Sequence, residues 1–432
     1  MIADSLLNGI SVIIDDALTK QSGDDLIFNI ITQIEEKEIP CLKYIDIPPI
    51  EEIKHFSNAG FILIDWKLNS SALSEGEALS GVKIGDALEE DTSQRIIDFI
   101  IKLKEAFFGP VFIFSAESEE TIRRRLEAGF EKLGVSQSKD LLNYIFIKNK
   151  SDLANGNFYR IINEWFERSP AIYALIKWDI VSNKAKTDLF WHLYALNHDW
   201  PRVFWKIFKE DDTDPSLELS GLISKNFFAR LSDCNFSEDL ILQREERISK
   251  SDIRKLLAGE RFISKSQLSP DRIYCGDLFY ESNNETFYIN IRPECDCISR
   301  TSGSDNEVEL YLLKGKRVLD ADEIRFFNGD FHNFKEKINC VIMPFIEFNG
   351  ETILIKFKLR DIKVKLYRDM REKRVGRLLP PYVTQIRLKY AGYLQREGFV
   401  PTPHEAIFEV DEEEFEDIIY CFSDTRSGFS YP

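Results

Sequence analysis

The sequence predicts a multidomain chain of mixed class: a doubly wound five-stranded parallel α/β sheet over 1–168, an all-helical middle domain over 169–265, and a C-terminal antiparallel barrel or strongly bent sheet over 266–432. Three observations carry this. Over the first 150 residues, short continuous apolar runs alternate with helix-spaced apolar positions. An aromatic-rich stretch of helical period follows, and beyond 266 the period shortens to β-rich runs separated by Asn, Gly and Asp turns. A chain of 432 residues suits about three domains.

In the first domain, residues 9–16 (Gly-Ile-Ser-Val-Ile-Ile-Asp-Asp) read as a strand ending in the acidic doublet Asp15 and Asp16. Leu26, Ile27, Ile30, Ile31 and Ile34 then share one helical face. A second strand is expected at 40–47 and a short helix at 49–58. Residues 60–68 (Gly-Phe-Ile-Leu-Ile-Asp-Trp-Lys-Leu) have the unbroken apolar run of a central strand covered on both faces, and the run ends at Asp65. The polar stretch 69–94 has no clear period. A helix at 95–107 is broken by Gly109 and Pro110, a fourth strand at 111–115 ends at Ser115, a helix covers 119–133, and a fifth strand at 143–148 ends at Lys148. This alternation predicts parallel strands with right-handed crossovers.

The aromatics of the middle region, Trp178, Phe190, Trp191, Tyr194, Trp200, Phe204, Trp205 and Phe208, read as a core or a helix–helix interface. His192 and His198 lie six apart, not on one helical face, so neither is taken as a metal ligand. Further helices are expected at 217–231 and from Ser249, an N-cap residue. Strands are expected at 273–280, 285–291, 307–313, 338–348 and 352–359, with a helix over 382–397 packed on the barrel and a loose tail over 422–432. Cys275, Cys295, Cys297, Cys340 and His332 form a metal site only on paper: the Cys-x-Cys spacing has no second pair, which leaves ordinary thiols.

A net charge of -17 argues against a general nucleic-acid or anionic-membrane binder, and no run approaches the roughly 18 apolar residues of a membrane span. The first residues lack a basic segment followed by a long apolar one. Seven cysteines without such a signal are expected to be reduced thiols of a cytoplasmic protein. One local reversal stands out. Lys356, Lys358, Arg360, Lys363, Lys365, Arg368, Arg371, Lys373, Arg374 and Arg377 face only three acids in the same stretch. They form a candidate patch for an acidic partner or, less favoured, nucleic acid; the chain's own acidic run at 409–417 is another occupant.

Asp15 and Asp16, Asp65, Ser115 and Lys148 thus fall at the C-terminal ends of four apolar strands. With the local sequences Ile-Asp-Trp-Lys and Phe-Ser-Ala-Glu, this order resembles the flavodoxin-like receiver domain of two-component response regulators. The resemblance implies that Asp65 accepts a phosphoryl group. It further implies that Asp15, Asp16, Asp65 and the backbone carbonyl of Lys67 hold Mg²⁺, that Ser115 donates to a phosphoryl oxygen, and that Lys148 pairs with its charge. The residue types suit the chemistry, because converging carboxylates call for a hard cation with oxygen ligands. Phosphoryl transfer in turn rests on positioning and charge stabilisation. Two positions depart from the family: Ile145 stands where an aromatic switch residue is usual, and Asn149 where a proline is. Further on, Cys-Gly-Asp-Leu-Phe and Ile-Arg-Pro-Glu-Cys-Asp loosely resemble SH3-like barrels of the toxin endoribonuclease type.

The function expected is a regulatory phosphoacceptor rather than a turnover enzyme, with a non-DNA-reading output, an architecture that resembles components of prokaryotic stress or phage-defence operons. A histidine kinase or GHKL-type ATPase is the expected partner, and a second copy of the chain is a further candidate. Two alternatives stand beside it: a pseudo-receiver scaffold that binds such a partner without phosphotransfer, and a barrel effector acting on nucleic acid.

Overall fold

A computed structural model describes residues 6–7, 9–19, 26–68, 84–135, 138–150, 152, 157–242, 248–270, 272–298, 308–319 and 339–396. The stretch 69–83, His332, the acidic run 409–417 and the tail 422–432 lie outside the described residues. The chain divides into two compact units, Met1–Trp205 with Ser216–Arg247, and Lys206–Pro215 with Ile248–Pro432. The helices between 169 and 265 are apportioned between these two.

The first unit opens with β1 (Ile10–Ile14), α1 (Leu26–Glu35), β2 (Cys41–Tyr44), a 3-10 segment (Ile50–Asn58) and β3 (Ala59–Asp65). It continues with α2 (Ile84–Leu103), β4 (Val111–Ser115), α3 (Glu119–Lys132), α4 (Ser138–Tyr144), β5 (Ile145–Asn149) and α5 (Phe158–Arg168). All five strands are parallel, in the order β2-β1-β3-β4-β5. Because side chains alternate across a strand, the apolar runs feed two cores. Ile13, Phe61, Leu63, Phe112, Phe114 and Phe146 meet α1 and α5 on one face. Val12, Ile14, Ile62, Ile64, Ile113 and Ile147 meet the 3-10 segment, α2, α3 and α4 on the other. This is why the strands read as unbroken apolar stretches: both faces are covered. Helix starts carry ordinary caps. Ser118 Oγ accepts the Thr121 amide at 3.2 Å ahead of α3, and Asn157 Oδ1 accepts the Tyr159 amide at 2.8 Å ahead of α5.

Strand order reverses between β1 and β3, and in open α/β sheets the crevice beyond the carboxyl ends of the strands at such a switch point is where ligands bind. Asp15 follows β1 and Asp65 ends β3, so the two acids flank that crevice. One element boundary matters for the site. Asn143 and Tyr144 belong to α4, so β5 begins at Ile145 and runs to Asn149 rather than ending at Lys148.

The chain then forms α6 (Pro170–Leu196), α7 (Trp200–Glu210), α8 (Pro215–Arg230), α9 (Glu238–Leu242) and α10 (Lys250–Arg261). The sheet of the second unit is curled and antiparallel, built from β6 (Phe262–Ser264), β7 (Asp277–Glu281), β8 (Thr286–Asn290), β9 (Glu309–Arg317), β10 (Cys340–Phe348), β11 (Glu351–Leu366) and β12 (Arg374–Leu378). Their order is β10-β11-β9-β8-β7-β12-β6. The pairing of β11 with β9 breaks between Phe357 and Ile362, where extra residues on one strand bend it. α11 (Tyr382–Leu394) seats Val383 and Ile386 in the same core as Leu278, Ile289, Ile355 and Phe357. No helix among the described residues is long and apolar enough to cross a membrane.

Candidate functional site

The site grows from three strand ends. β1 delivers Asp15, fully buried, whose amide donates to the Tyr44 carbonyl (2.9 Å) and whose Oδ1 accepts the Ala17 amide at 2.9 Å. Asp16 opens the 3-10 turn Asp16–Thr19 that follows. β3 delivers Asp65, 5% exposed, whose Oδ1 accepts the Lys67 amide at 3.2 Å. One carboxylate oxygen from each of Asp15, Asp16 and Asp65 lies within 4.8 Å of the others, a grouping that can hold a metal ion. Among the described residues it is the one such cluster of acids, histidines or cysteines; Cys275, Cys295, Cys297 and Cys340 form none.

The cation in this cluster is Lys150. Its Nζ is 2.7 Å from Asp65 Oδ2 and 3.1 Å from Asp15 Oδ2. Lys148 makes no ion pair with the acids. In register it stands beside Phe114, the neighbour of Asp65 in the sheet, and it lines an edge cleft with Glu119, Trp165 and Arg168. The sequence held the signal in Lys-Asn-Lys at 148–150. Choosing the right lysine requires knowing that α4 takes up Asn143 and Tyr144 and shifts β5 along the chain.

Electrostatics mark the same group. Burial pushes the Asp65 carboxyl up to about 6; the Asp15 charge adds to the rise, and Lys150 opposes it. Burial likewise raises Asp15 against the pull of Lys150. Burial disfavours the Lys150 ammonium, yet the Asp65 and Asp15 carboxylates outweigh that and hold its pKa above the usual lysine range. Two buried acids with one ammonium leave a site short of positive charge, which a divalent cation would relieve.

A second layer ties the loop after β4 to this centre. Ser115, fully buried, sits one residue past Phe114, the register partner of Asp65, and its Oγ accepts the Glu117 amide at 3.2 Å. The Glu117 carboxylate meets Lys67 Nζ at 3.1 Å and Arg125 at 3.3 Å. Asn149 Nδ2 donates to the carbonyls of Ala116 and Glu117, both at 3.2 Å. Residues 115–117 are thereby held from the turn after β3, from β5 and from α3 at once. Glu117 closes the Phe-Ser-Ala-Glu segment but has no assigned role in the sequence reading, and Arg125, inside a helix, has none either.

The basic stretch of the second unit is partly consumed by internal pairing. Lys365 and Lys373 converge on Glu281 at 2.9 and 2.7 Å, and these bonds pull its carboxyl down to about 2. Arg374 is nearly buried, and Arg377 Nε pairs with the buried Asp277 at 2.6 Å. Lys358, Lys363 and Arg371 are exposed, and Lys356 lies opposite Lys316 in the β9–β11 pairing.

No family model matches the chain, and no curated protein or solved structure matches it.

Proposed function

We propose that the first unit is a receiver-like phosphoacceptor domain in which Asp65 takes a phosphoryl group and Asp15 and Asp16 hold Mg²⁺ beside it. The observation that carries this reading is the convergence of three carboxylates and one ammonium at a parallel-sheet switch point. An Asp65 oxygen attacks phosphorus, the donor's bond to phosphorus breaks, and its electron pair leaves with the donor group. Lys150 takes the part that the resemblance gave to Lys148, offering its ammonium to the incoming negative charge. Ser115 exchanges its Glu117 amide for a phosphoryl oxygen, donating its hydroxyl proton. Lys67 supports Asp65 through its amide and offers its carbonyl to the cation. The metal supplies charge neutralisation of the acids and of the transferring phosphoryl. A histidine kinase or GHKL-type ATPase is the donor class that fits.

The test is labelling of the full chain by acetyl phosphate, with and without Mg²⁺. Label lost in Asp65→Asn and in chelator supports the reading; label indifferent to both refutes it. One observation favours the alternative of a scaffold without phosphotransfer. Lys150 already joins Asp15 to Asp65, so the ion pairs hold the strand ends together without a metal. Under that reading no donor labels the chain, and partner binding survives Asp65→Asn.

A further inference from the structure

We infer that one face of the antiparallel sheet in the second unit binds the phosphate backbone of a nucleic-acid duplex, without regard to base sequence. The pairing register puts its cations on a single side. Residues directly opposite each other on neighbouring strands point the same way, and so do alternate residues along one strand. On β9, Lys314 stands opposite Tyr288 of β8, and Lys316 stands opposite Lys356 of β11. Lys358, two further along β11, stands opposite Cys340 of β10. The Lys365 ammonium lies 4.7 Å from the centre of the Tyr288 ring, and Lys365 and Lys373 both reach Glu281 on β7. Where this side is covered, at Leu310 and Leu312, Lys365 and Lys363 stand opposite those two residues at the rim of the cover. The other side of the sheet is the core that buries Phe287, Leu313, Ile355 and Phe357. Lys314 and Lys316 lie outside the basic run at 356–377, so the face is wider than sequence spacing shows.

Charge and side-chain type select the occupant. Lys365 and Lys373 share Glu281, but among the described residues no acid pairs with Lys314, Lys316, Lys358 or Lys363. Lys314 and Lys316 are alternate residues, roughly 7 Å apart along one strand. They set two uncompensated ammoniums in a row, as successive phosphates are set along a nucleic-acid strand. Protein–protein interfaces are enriched in aromatic residues, Met and Arg and depleted of Lys. This face has the opposite character: its register positions carry lysines, and none of the exposed large apolar side chains stands at them. Interfaces with nucleic acid are the more polar and far more positively charged class. Lysine meets phosphate as a point charge and lacks the planar fork by which arginine grips a carboxylate or reads guanine, hence the indifference to sequence. Tyr288 is only 5% exposed and offers unpaired bases no stacking platform, which favours a duplex over a single strand. The inference concerns the second unit alone and needs neither the metal nor the phosphoryl group.

Fluorescence anisotropy of labelled short duplexes, one rich in A·T and one in G·C, titrated with the full chain between about 50 and 200 mM salt tests it. Both duplexes are expected to bind alike, with log K falling against log salt at a slope of about -3 to -4, the value for four phosphate contacts. Lys314→Gln with Lys316→Gln is expected to weaken binding at least about tenfold and to flatten the slope by about 2. Lys314→Arg with Lys316→Arg keeps the charge and is expected to bind as the native chain does. Lys104→Gln with Lys132→Gln makes the same change of charge on exposed lysines of the first unit and is expected to leave binding unchanged. No duplex bound by the native chain at the lowest salt, or equal loss in the two Gln pairs, overturns the inference. So does binding indifferent to Lys314 and Lys316. A native chain that ignores both duplexes but binds labelled polyglutamate would assign the face to an acidic protein segment instead.

Discussion

Lys150 Nζ stands 2.7 Å from Asp65 Oδ2, and the same ammonium reaches Asp15, so one side chain from beyond β5 closes the ends of β1 and β3. Removing one partner of a buried pair leaves an uncompensated charge, typically at about 3–5 kcal/mol. Lys150→Met is therefore expected to destabilise the first unit by about that much, with Mg²⁺ or a second change, Asp65→Asn, recovering part of it. Lys148→Met is expected to fall within about 1 kcal/mol of the native chain. Chemical denaturation of these three variants and the native chain, with and without the metal, checks both.

Divalent metal should act through the acids. Mg²⁺ at 100 times its dissociation constant is expected to add about 2.7 kcal/mol to stability, and Asp15→Asn to remove most of that increment. Thermal unfolding across a metal titration measures it.

The raised Asp65 carboxyl gives a pH signature in chelator. Its folded pKa of about 6 lies above the ordinary aspartate value of 3.8, so the native state binds the proton more tightly than the unfolded chain. Its contribution is fully present below about pH 4 and is lost as pH rises through 6. Asp65→Asn leaves Lys150 paired with Asp15, and its stability relative to the native chain is expected to be about 1–2 kcal/mol more favourable at pH 8 than at pH 4. Urea melts at the two pH values decide it; a larger gain at pH 4 contradicts the burial account.

Glu281 behaves in the opposite sense. Its carboxyl is held at about 2 by Lys365 and Lys373, so its contribution is present above pH 4.5 and is lost as pH falls toward 2. Glu281→Gln is expected to cost the second unit no more than about 1 kcal/mol at pH 7. Salt should shrink the difference, a comparison made by melting in low and high salt.

Gly376 tests the second sheet. A Cβ there would stand 2.1 Å from the Phe262 ring and 2.4 Å from the Ile263 carbonyl oxygen, between β12 and β6. The backbone neighbour cannot step aside, so Gly376→Ala is expected to cost about 1–3 kcal/mol in the second unit. Phosphoryl labelling of Asp65 should be unchanged, since the two residues belong to separate units.

The parallel sheet was legible because Val12 to Ile14, Phe61 to Ile64 and Val111 to Phe114 are covered on both faces and so leave continuous apolar runs. The acids were legible because they end those runs. Lys150 was not: periodicity places a strand but not its first residue, and the two-residue difference at α4 decides which lysine passes the edge. β6 and β12 were missed for other reasons. Three residues, Phe262–Ser264, are too few to show a period, and Arg374–Leu378 lies in a basic run where Arg374 is buried against Asp277 and the carbonyls of Ser269 and Arg272. The aromatics of α6 to α8 were expected in a core or a helix–helix interface. The structure leaves Trp191 and Phe228 among its most exposed large side chains. Composition shows that such rings need cover but not whether this chain provides it.

The most direct test of the central claim is intact-mass measurement of the chain after acetyl phosphate and Mg²⁺, followed by borohydride reduction and peptide mapping. One added phosphoryl group, absent without metal and mapped to Asp65, is the predicted result. No adduct, or an adduct that persists in Asp65→Asn, would contradict it.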